Sequence, residues 1–224
     1  ELVGKTQKEV IEDLGDQAYF DPKTQTHMLA EDYLSGNVVE KLELARESLR
    51  NNPSLQRNVS ALEAVQPEPI LAKDISANLG SVWVPIETIQ QFAAEVLGVK
   101  RAEVKHLKLN NTWTVDGYGG NLEYSSGARK TTELLASILG SKQIVIKTKM
   151  SDGTSVLNEV ATQEANDAAD KIKDAWKNWV WEDNNRAATL SEIYNKMFNN
   201  IVPAFYGNGE HLTLDGMSSL IKLR

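Results

Sequence analysis

The chain has 224 residues, of which 41% are hydrophobic and 25% are charged. This composition excludes the disordered and low-complexity classes and predicts a packed core. Because the chain has no cysteine, a disulfide framework, a thiolate metal cluster and a thiol nucleophile are excluded, and a cytoplasmic location is expected. The longest apolar run, residues 201–206, is too short to cross a membrane, and residues 1–5 do not read as a signal peptide, so we expect no membrane partner.

The net charge of −7 is distributed unevenly along the chain. Residues 1–70 carry 7 Lys/Arg against 13 Asp/Glu, residues 71–150 carry 10 against 7, and residues 151–224 carry 7 against 11. The basic excess is therefore central. This asymmetry fits a middle module that meets a polyanion, although a solvated surface of ordinary lysines produces the same count.

Cap and turn signals in residues 1–68 predict a helical N-terminal domain with a wing-like hairpin. The predicted elements are a helix opened by the Thr6–Glu9 capping box, a hairpin around Asp21-Pro22, a helix after Asn37, and a helix from Pro53 to about residue 65. The Pro-rich stretch 66–69 then interrupts the helical pattern and marks the boundary of this domain.

The helix and strand patterns of residues 69–202 predict an α+β accessory domain, in which a small antiparallel sheet packs with long helices. Helices are predicted over 72–79, 85–97, 131–139 and 159–181, and again from the Thr189–Glu192 capping box onward. Strand pairs are predicted over 104–109 with 112–115, and over 143–150 with 154–157. Residues 203–224 are predicted to be a linker. The predicted fold class is α+β, predominantly helical.

The sequence shows no constellation typical of catalysis or of metal binding. Gly4-Lys5-Thr6 lacks the upstream glycine and strand of a phosphate-binding loop, and the three histidines lack any metal-ligand spacing. No G-x-S-x-G motif singles out a serine nucleophile. We therefore expect no catalytic residue, no metal site and no cofactor in this chain, and the sequence identifies no small-molecule substrate.

The candidate binding residues are central cations interleaved with aromatic side chains. Cations hold phosphates while an exposed aromatic ring stacks on a base, so this pattern is typical of nucleic-acid contact. The candidates are Lys100, Arg101, Lys105, Lys108, Trp113, Arg129, Lys130, Lys147 and Lys149, with Lys142, Tyr118 and Tyr124 in the same stretch. Two alternatives remain open: the lysines decorate an exposed sheet edge against aggregation, and Trp113 belongs to the core. The cluster Trp176, Trp179 and Trp181 indicates packing or a docking surface.

Several stretches resemble one family of large proteins. They are YLSGNVVEKL (33–42), QRNVSALEAVQP (56–67), ISANLGSVWVP (75–85), WKNWVW (176–181), and HLTLDGM (211–217) followed by LIKLR (220–224). These resemble the segment immediately upstream of the Swi/Snf-type helicase core, of superfamily two, in helicase and adenine-specific DNA methylase polypeptides of phages and mobile elements, including DarB-like antirestriction proteins.

The resemblance implies a non-catalytic accessory region within a longer polypeptide. ATP and Mg²⁺ would then belong to the helicase core, and the partners of this chain would be DNA and the rest of the parent polypeptide. We expect the chain to position DNA for the motor. The alternative is a protein-interaction scaffold that docks the helicase to the methylase half without touching DNA.

Overall fold

The computed structural model describes residues 6–205, in which helices predominate and every sheet is a small antiparallel pair. The fold is α+β and mainly helical, as the sequence predicts. By their contacts these residues divide into two units, which are described separately: unit one comprises residues 6–69 and 195–205, and unit two comprises residues 70–194.

Unit one begins with four helices and three strands. They are α1 (Gln7–Leu14), β1 (Ala18–Asp21), β2 (Thr26–Leu29), α2 (Ala30–Tyr33), β3 (Gly36–Asn37), α3 (Val38–Leu49) and α4 (Gln56–Ala64). The predicted capping box is confirmed, because Thr6 N donates to Glu9 Oε2 over 2.7 Å and Glu9 N donates to Thr6 Oγ1 over 3.4 Å. The predicted hairpin, formed by β1 and β2, is confirmed as well.

Unit two contains a second set of helices and two hairpins. Its elements are α5 (Ile86–Glu95), β4 (Val99–Leu107), β5 (Thr112–Gly119), α6 (Thr131–Leu139), β6 (Lys147–Lys149), β7 (Ser155–Leu157), α7 (Glu159–Trp179) and α8 (Asn184–Phe198), which ends in unit one. The described chain then contributes β8 (Ile201–Val202) to unit one, where it pairs with β3. The predicted second domain extended to residue 202, whereas the contacts of residues 195–202 place them in unit one.

The core of unit two is built from α5, α6, α7 and the inner face of the β4–β5 hairpin. Phe92 of α5 lies edge-on to Trp176 of α7, with ring centroids 5.1 Å apart. Trp176 and Trp179 are 1% and 7% exposed. The tryptophans of α7 are therefore packing residues, one of the two roles that the sequence left open.

The predicted helix over 72–79 is wrong. Only a single 3-10 turn forms, over Ala72–Asp74, and Ile75 continues in an extended conformation. Ile75 and Ala77 are both buried, whereas Ser76 and Asn78 are exposed, an alternation typical of an extended chain. Burial in the tertiary structure thus overrides the local helical pattern.

The predicted helix start at Thr189 is also wrong. Helix α8 already begins at Asn184, where Asp183 Oδ1 accepts a hydrogen bond of 2.8 Å from Arg186 N. Thr189 lies inside the helix, and its hydroxyl donates to the Asn185 carbonyl over 2.9 Å. The aspartate cap Asp183, six residues upstream of Thr189, therefore opens the helix.

The predicted hairpins form two separate two-stranded sheets in unit two. Strands β4 and β5 are longer than predicted, whereas β6 and β7 are shorter. Within residues 6–205, no helix combines the length and apolar character that a membrane span requires.

Candidate nucleic-acid interface

The β4–β5 hairpin carries four of the predicted cations. Its turn closes at Asn111, whose φ of 47° lies in the left-handed region that asparagine tolerates. Paired residues of an antiparallel ladder point to the same face, so the register assigns Val104, His106, Trp113 and Val115 to the inner face. The outer face carries Lys100, Glu103, Lys105, Asp116 and Tyr118.

The middle of that outer face is not basic. Lys105 Nζ lies 2.8 Å from Glu103 Oε1, and both side chains are more than half exposed. The hydrogen bond to the Glu103 carboxylate, together with its charge, raises the pKa of Lys105 above its ordinary value. Asp116 is the cross-strand partner of Glu103. Lys105 is therefore paired with a carboxylate. Lys108 lies away from this pair, in the exposed turn next to Leu109.

The base of the hairpin combines a backbone irregularity with two cations. The register shifts between Lys100 and Glu103, and Arg101 within this bulge has a φ of 51°. A left-handed conformation at a residue other than glycine costs about 1–2 kcal/mol. Lys100 pairs with Tyr118, whose side chain is 56% exposed. A cation and an open aromatic ring thus share one face at this end.

The start of α6 adds two more cations near the same end. A Cβ built on Gly120 would lie 2.7 Å from Thr131 Oγ1, so the end of β5 touches the first residue of α6. Arg129 and Lys130 immediately precede Thr131, and Arg129 is held by a turn in which Ser126 N donates to its carbonyl over 2.9 Å. We name Lys100, Arg101, Tyr118, Arg129 and Lys130 the hairpin-base cluster.

Two carboxylates reduce the charge around the hairpin-base cluster. Glu133 Oε2 lies 3.7 Å from Arg129 Nη1 and accepts a 3.3 Å hydrogen bond from Lys130 N. Glu123 is exposed in the connection between β5 and α6. The four cations of the cluster therefore outnumber the two carboxylates near them. The Arg129–Glu133 ion pair contributes little stability, because both side chains are exposed and the N–O distance is long.

Trp113 is not exposed, as a ring that stacks on a base would have to be. It is 5% exposed, and its indole stacks on the imidazole of His106 with centroids 4.1 Å and planes 8° apart. A stacking platform needs an open ring face. The structure therefore assigns Trp113 to the core and leaves Tyr118 as the exposed aromatic side chain beside the cations. Sequence alternation could have separated the two, because Trp113 and Val115 point to one face and Asp116 and Tyr118 to the other.

Lys147 and Lys149 lie on a different sheet. Both are exposed on β6, opposite Leu157 and Ser155, so the predicted shared face is confirmed. The turn of this hairpin holds Asp152, whose carboxylate accepts hydrogen bonds from the Thr154 hydroxyl and backbone N–H. These bonds lower the pKa of Asp152. The two lysines form a second basic strip on a sheet that is not part of the β4–β5 ladder.

The described portion of the chain contains no group of three or more histidine, aspartate and glutamate side chains placed to hold a metal ion. The basic side chains described above suit anionic oxygen atoms instead, and phosphate is the group that lysine and arginine bind best.

Comparison with known proteins identifies one family. No curated protein matches the chain, and no solved structure does. Residues 78–200 match the family described as a domain of unknown function, DUF8437, and this segment contains the hairpin-base cluster and the β6 lysines. Because the match covers more than half of the chain, the protein belongs to the DUF8437 family.

Proposed function

We propose that this chain positions DNA through the hairpin-base cluster, as a non-catalytic accessory region of a helicase and methylase polypeptide. The observation that carries the proposal is the combination of four cations with the exposed ring of Tyr118 at one end of the β4–β5 hairpin. Phosphates would contact the cations, and an unpaired base would stack on Tyr118. The helicase and methylase context comes from the sequence resemblance alone.

The bulge at Arg101 supports the proposal. A strained backbone conformation persists only where the surrounding structure holds it, and such sites are frequent where a ligand is bound. Arg101 lies in this bulge and directly follows Lys100, the cross-strand partner of Tyr118. Arginine is well suited to phosphate because its planar group donates two parallel hydrogen bonds.

The test is fluorescence anisotropy of labelled single-stranded, duplex and forked DNA across a salt series. We expect salt-dependent binding in about the micromolar range, a strength typical of contacts without sequence preference. The double variant Lys100→Ala with Lys130→Ala should bind more weakly, and the slope of log affinity against log salt should fall by about 2. The matched control is Lys73→Ala with Lys171→Ala, which removes the same charge from exposed positions outside the cluster. Equal slopes for the two double variants, or no binding of the unaltered chain at low salt, would refute the proposal.

A scaffold that docks the helicase to the methylase half is the second candidate. It is favoured by exposed apolar side chains around the β6–β7 hairpin: Met150 is 50%, Val156 52%, Leu157 49% and Val160 71% exposed. Scattered apolar surface is ordinary, whereas neighbouring exposed apolar residues indicate a contact surface. If this candidate is correct, the unaltered chain should bind the separate helicase core or methylase half in a calorimetric titration and should not bind DNA. The double variant Val156→Ser with Val160→Ser should then bind that protein partner more weakly.

A further inference from the structure

Unit two contains a cleft that the DNA proposal does not use. It has a volume of about 500 Å³ and is lined by the end of α6, the connection that follows it, one face of α7 and Asn78-Leu79. Small-molecule sites in proteins commonly measure about 300–1,000 Å³. The cleft is therefore large enough for an organic ligand.

The charged side chains that line the cleft are all lysines: Lys142, Lys173 and Lys177. In the part of the chain that the structure describes, Lys142 has no carboxylate within 4 Å. Lys173 lies 2.8 Å from Asp170, and Lys177 lies 3.0 Å from Asp174, in pairs whose side chains are 49–71% exposed. Exposed pairs of this kind contribute only about 0–1 kcal/mol, so an anion in the cleft can compete for both lysines.

Polar groups without an internal partner also face the cleft. The side chains of Asn78 and Gln143 make no hydrogen bond within residues 6–205. Asn166 is fixed, because its Nδ2 donates to the Thr162 carbonyl over 2.8 Å and to the Ile144 carbonyl over 3.4 Å. Its Oδ1 remains as an acceptor. The ligand that fits therefore presents an anionic group and also a hydrogen-bond donor.

Apart from Ser137 and Ser141, the remaining lining is apolar. It consists of Leu79, Ile138, Ile144 and Trp176. Trp176 is 1% exposed, and its indole N–H donates a 2.7 Å hydrogen bond to the Ala77 carbonyl. Ligand sites typically combine such an apolar wall with a few placed polar groups.

Ser141 at the rim of the cleft provides an independent observation. Helix α6 ends in a Schellman arrangement, because Lys142 N donates to the Ser137 carbonyl over 2.8 Å and Ser141 N donates to the Ile138 carbonyl over 3.0 Å. The left-handed position of this motif usually holds glycine, but here it holds Ser141 with a φ of 50°. A side chain kept at a strained position beside a cleft is typical of a binding site.

From these features we propose that the cleft binds a small organic anion, a phosphate- or carboxylate-bearing molecule with an apolar or aromatic body. Lys142, with Lys173 and Lys177, holds the anionic group, and the body lies against Trp176 and Ile144. This site is distinct from the hairpin-base cluster and does not depend on DNA binding.

The test uses two fluorescent probes with the same ring system: 8-anilinonaphthalene-1-sulfonate, which is anionic, and N-phenyl-1-naphthylamine, which is neutral. The first should bind the intact chain saturably at one site, more tightly than the second, and less tightly as salt is added. Lys142→Met keeps the methylene chain but removes the charge, and it should weaken binding about tenfold, the effect of one lost charge-assisted contact. Lys171→Met removes a charge from the same domain outside the cleft and should change nothing. Competition with adenosine monophosphate and with citrate then distinguishes phosphate from carboxylate ligands.

Equal binding of the two probes, or equal binding by Lys142→Met and the intact chain, would overturn the proposal. Displacement of the anionic probe by duplex DNA would overturn it too, because the cleft would then belong to the nucleic-acid interface. Because Lys142 is exposed, its replacement is not expected to unfold the chain. Should Lys142→Met nevertheless unfold, Lys177→Met provides the same comparison on α7.

Discussion

The indole nitrogen Nε1 of Trp176 donates a hydrogen bond of 2.7 Å to the backbone carbonyl of Ala77, 99 residues earlier in the chain. This bond ties the extended segment before α5 to the middle of the core. Both groups are buried, so neither can exchange its partner for water.

Trp176→Phe should therefore destabilise the protein by about 2–4 kcal/mol. The substitution leaves the Ala77 carbonyl without its donor and creates a cavity against Phe92. Urea unfolding followed by circular dichroism measures the change in the free energy of unfolding. Trp181→Phe, at a half-buried position, is the control and should cost clearly less. Equal losses for the two variants would contradict the importance of this bond.

Arg101→Gly should separate DNA binding from stability. Glycine adopts a φ of 51° without strain, which stabilises the folded state. This stabilisation offsets the cost of the extra conformational freedom that glycine gives to the unfolded chain. We expect stability to be unchanged or raised by up to about 1 kcal/mol, while affinity for DNA falls because a cation is lost. Arg101→Ala should lose the same affinity without any gain in stability. Unchanged DNA affinity in both variants would remove Arg101 from the interface.

Tyr118→Ala should weaken binding of single-stranded DNA about tenfold and leave duplex binding nearly unchanged, because one stacked base contributes about 1–3 kcal/mol. Its stability should change little, since the ring is 56% exposed. Trp113→Ala is the counterpart and should lose about 3–5 kcal/mol of stability, as buried tryptophans do. Anisotropy and urea unfolding of both variants give the comparison. If Tyr118→Ala kept full affinity for single strands, stacking on this ring would be refuted.

Lys147→Ala with Lys149→Ala tests the second basic strip. If both lysines contact phosphates, affinity should fall for every DNA sequence, and the salt slope should decrease by about one unit per lost contact. Lys105→Ala should have a smaller effect than Lys147→Ala or Lys149→Ala alone, because the Glu103 carboxylate beside Lys105, together with Asp116 opposite Glu103, repels phosphate. The measurement is anisotropy across a salt series. A double variant with an unchanged slope would restrict the interface to the hairpin-base cluster.

The capping box of α1 predicts a pH dependence. Two hydrogen bonds lower the pKa of Glu9 from its ordinary value of 4.5: the larger effect comes from the Thr6 backbone N–H and the smaller from the Thr6 hydroxyl. The stabilising effect of Glu9 is therefore fully present above about pH 4.5 and is lost as pH falls through the lowered pKa. Glu9→Gln should be less stable than the unaltered chain near neutral pH, and the difference should vanish in acid. Urea unfolding between about pH 3 and pH 6 tests this.

Local chemistry made much of the fold predictable from sequence. The Thr6 capping box, the Asp21-Pro22 turn and the Asn110-Asn111 turn act within a few residues, so their outcome does not depend on the rest of the chain. The bounds of α6 agree with the prediction as well, because its apolar stripe and its end at Gly140 are local signals. The cationic content of the middle third is likewise a property of the sequence itself, because a count of charges does not depend on how the chain folds.

Only the tertiary structure decided which of those residues come together. Strand β3 pairs with β8, and Ala77 bonds to Trp176, across separations at which local patterns carry no information. Burial excluded a helix over 72–79, placed Trp113 inside and left Tyr118 outside. The sequence by itself determined the helix and turn signals and the central basic excess. Packing decided the hairpin-base cluster and the lysine-lined cleft, because exposure and proximity arise only when distant segments share one core.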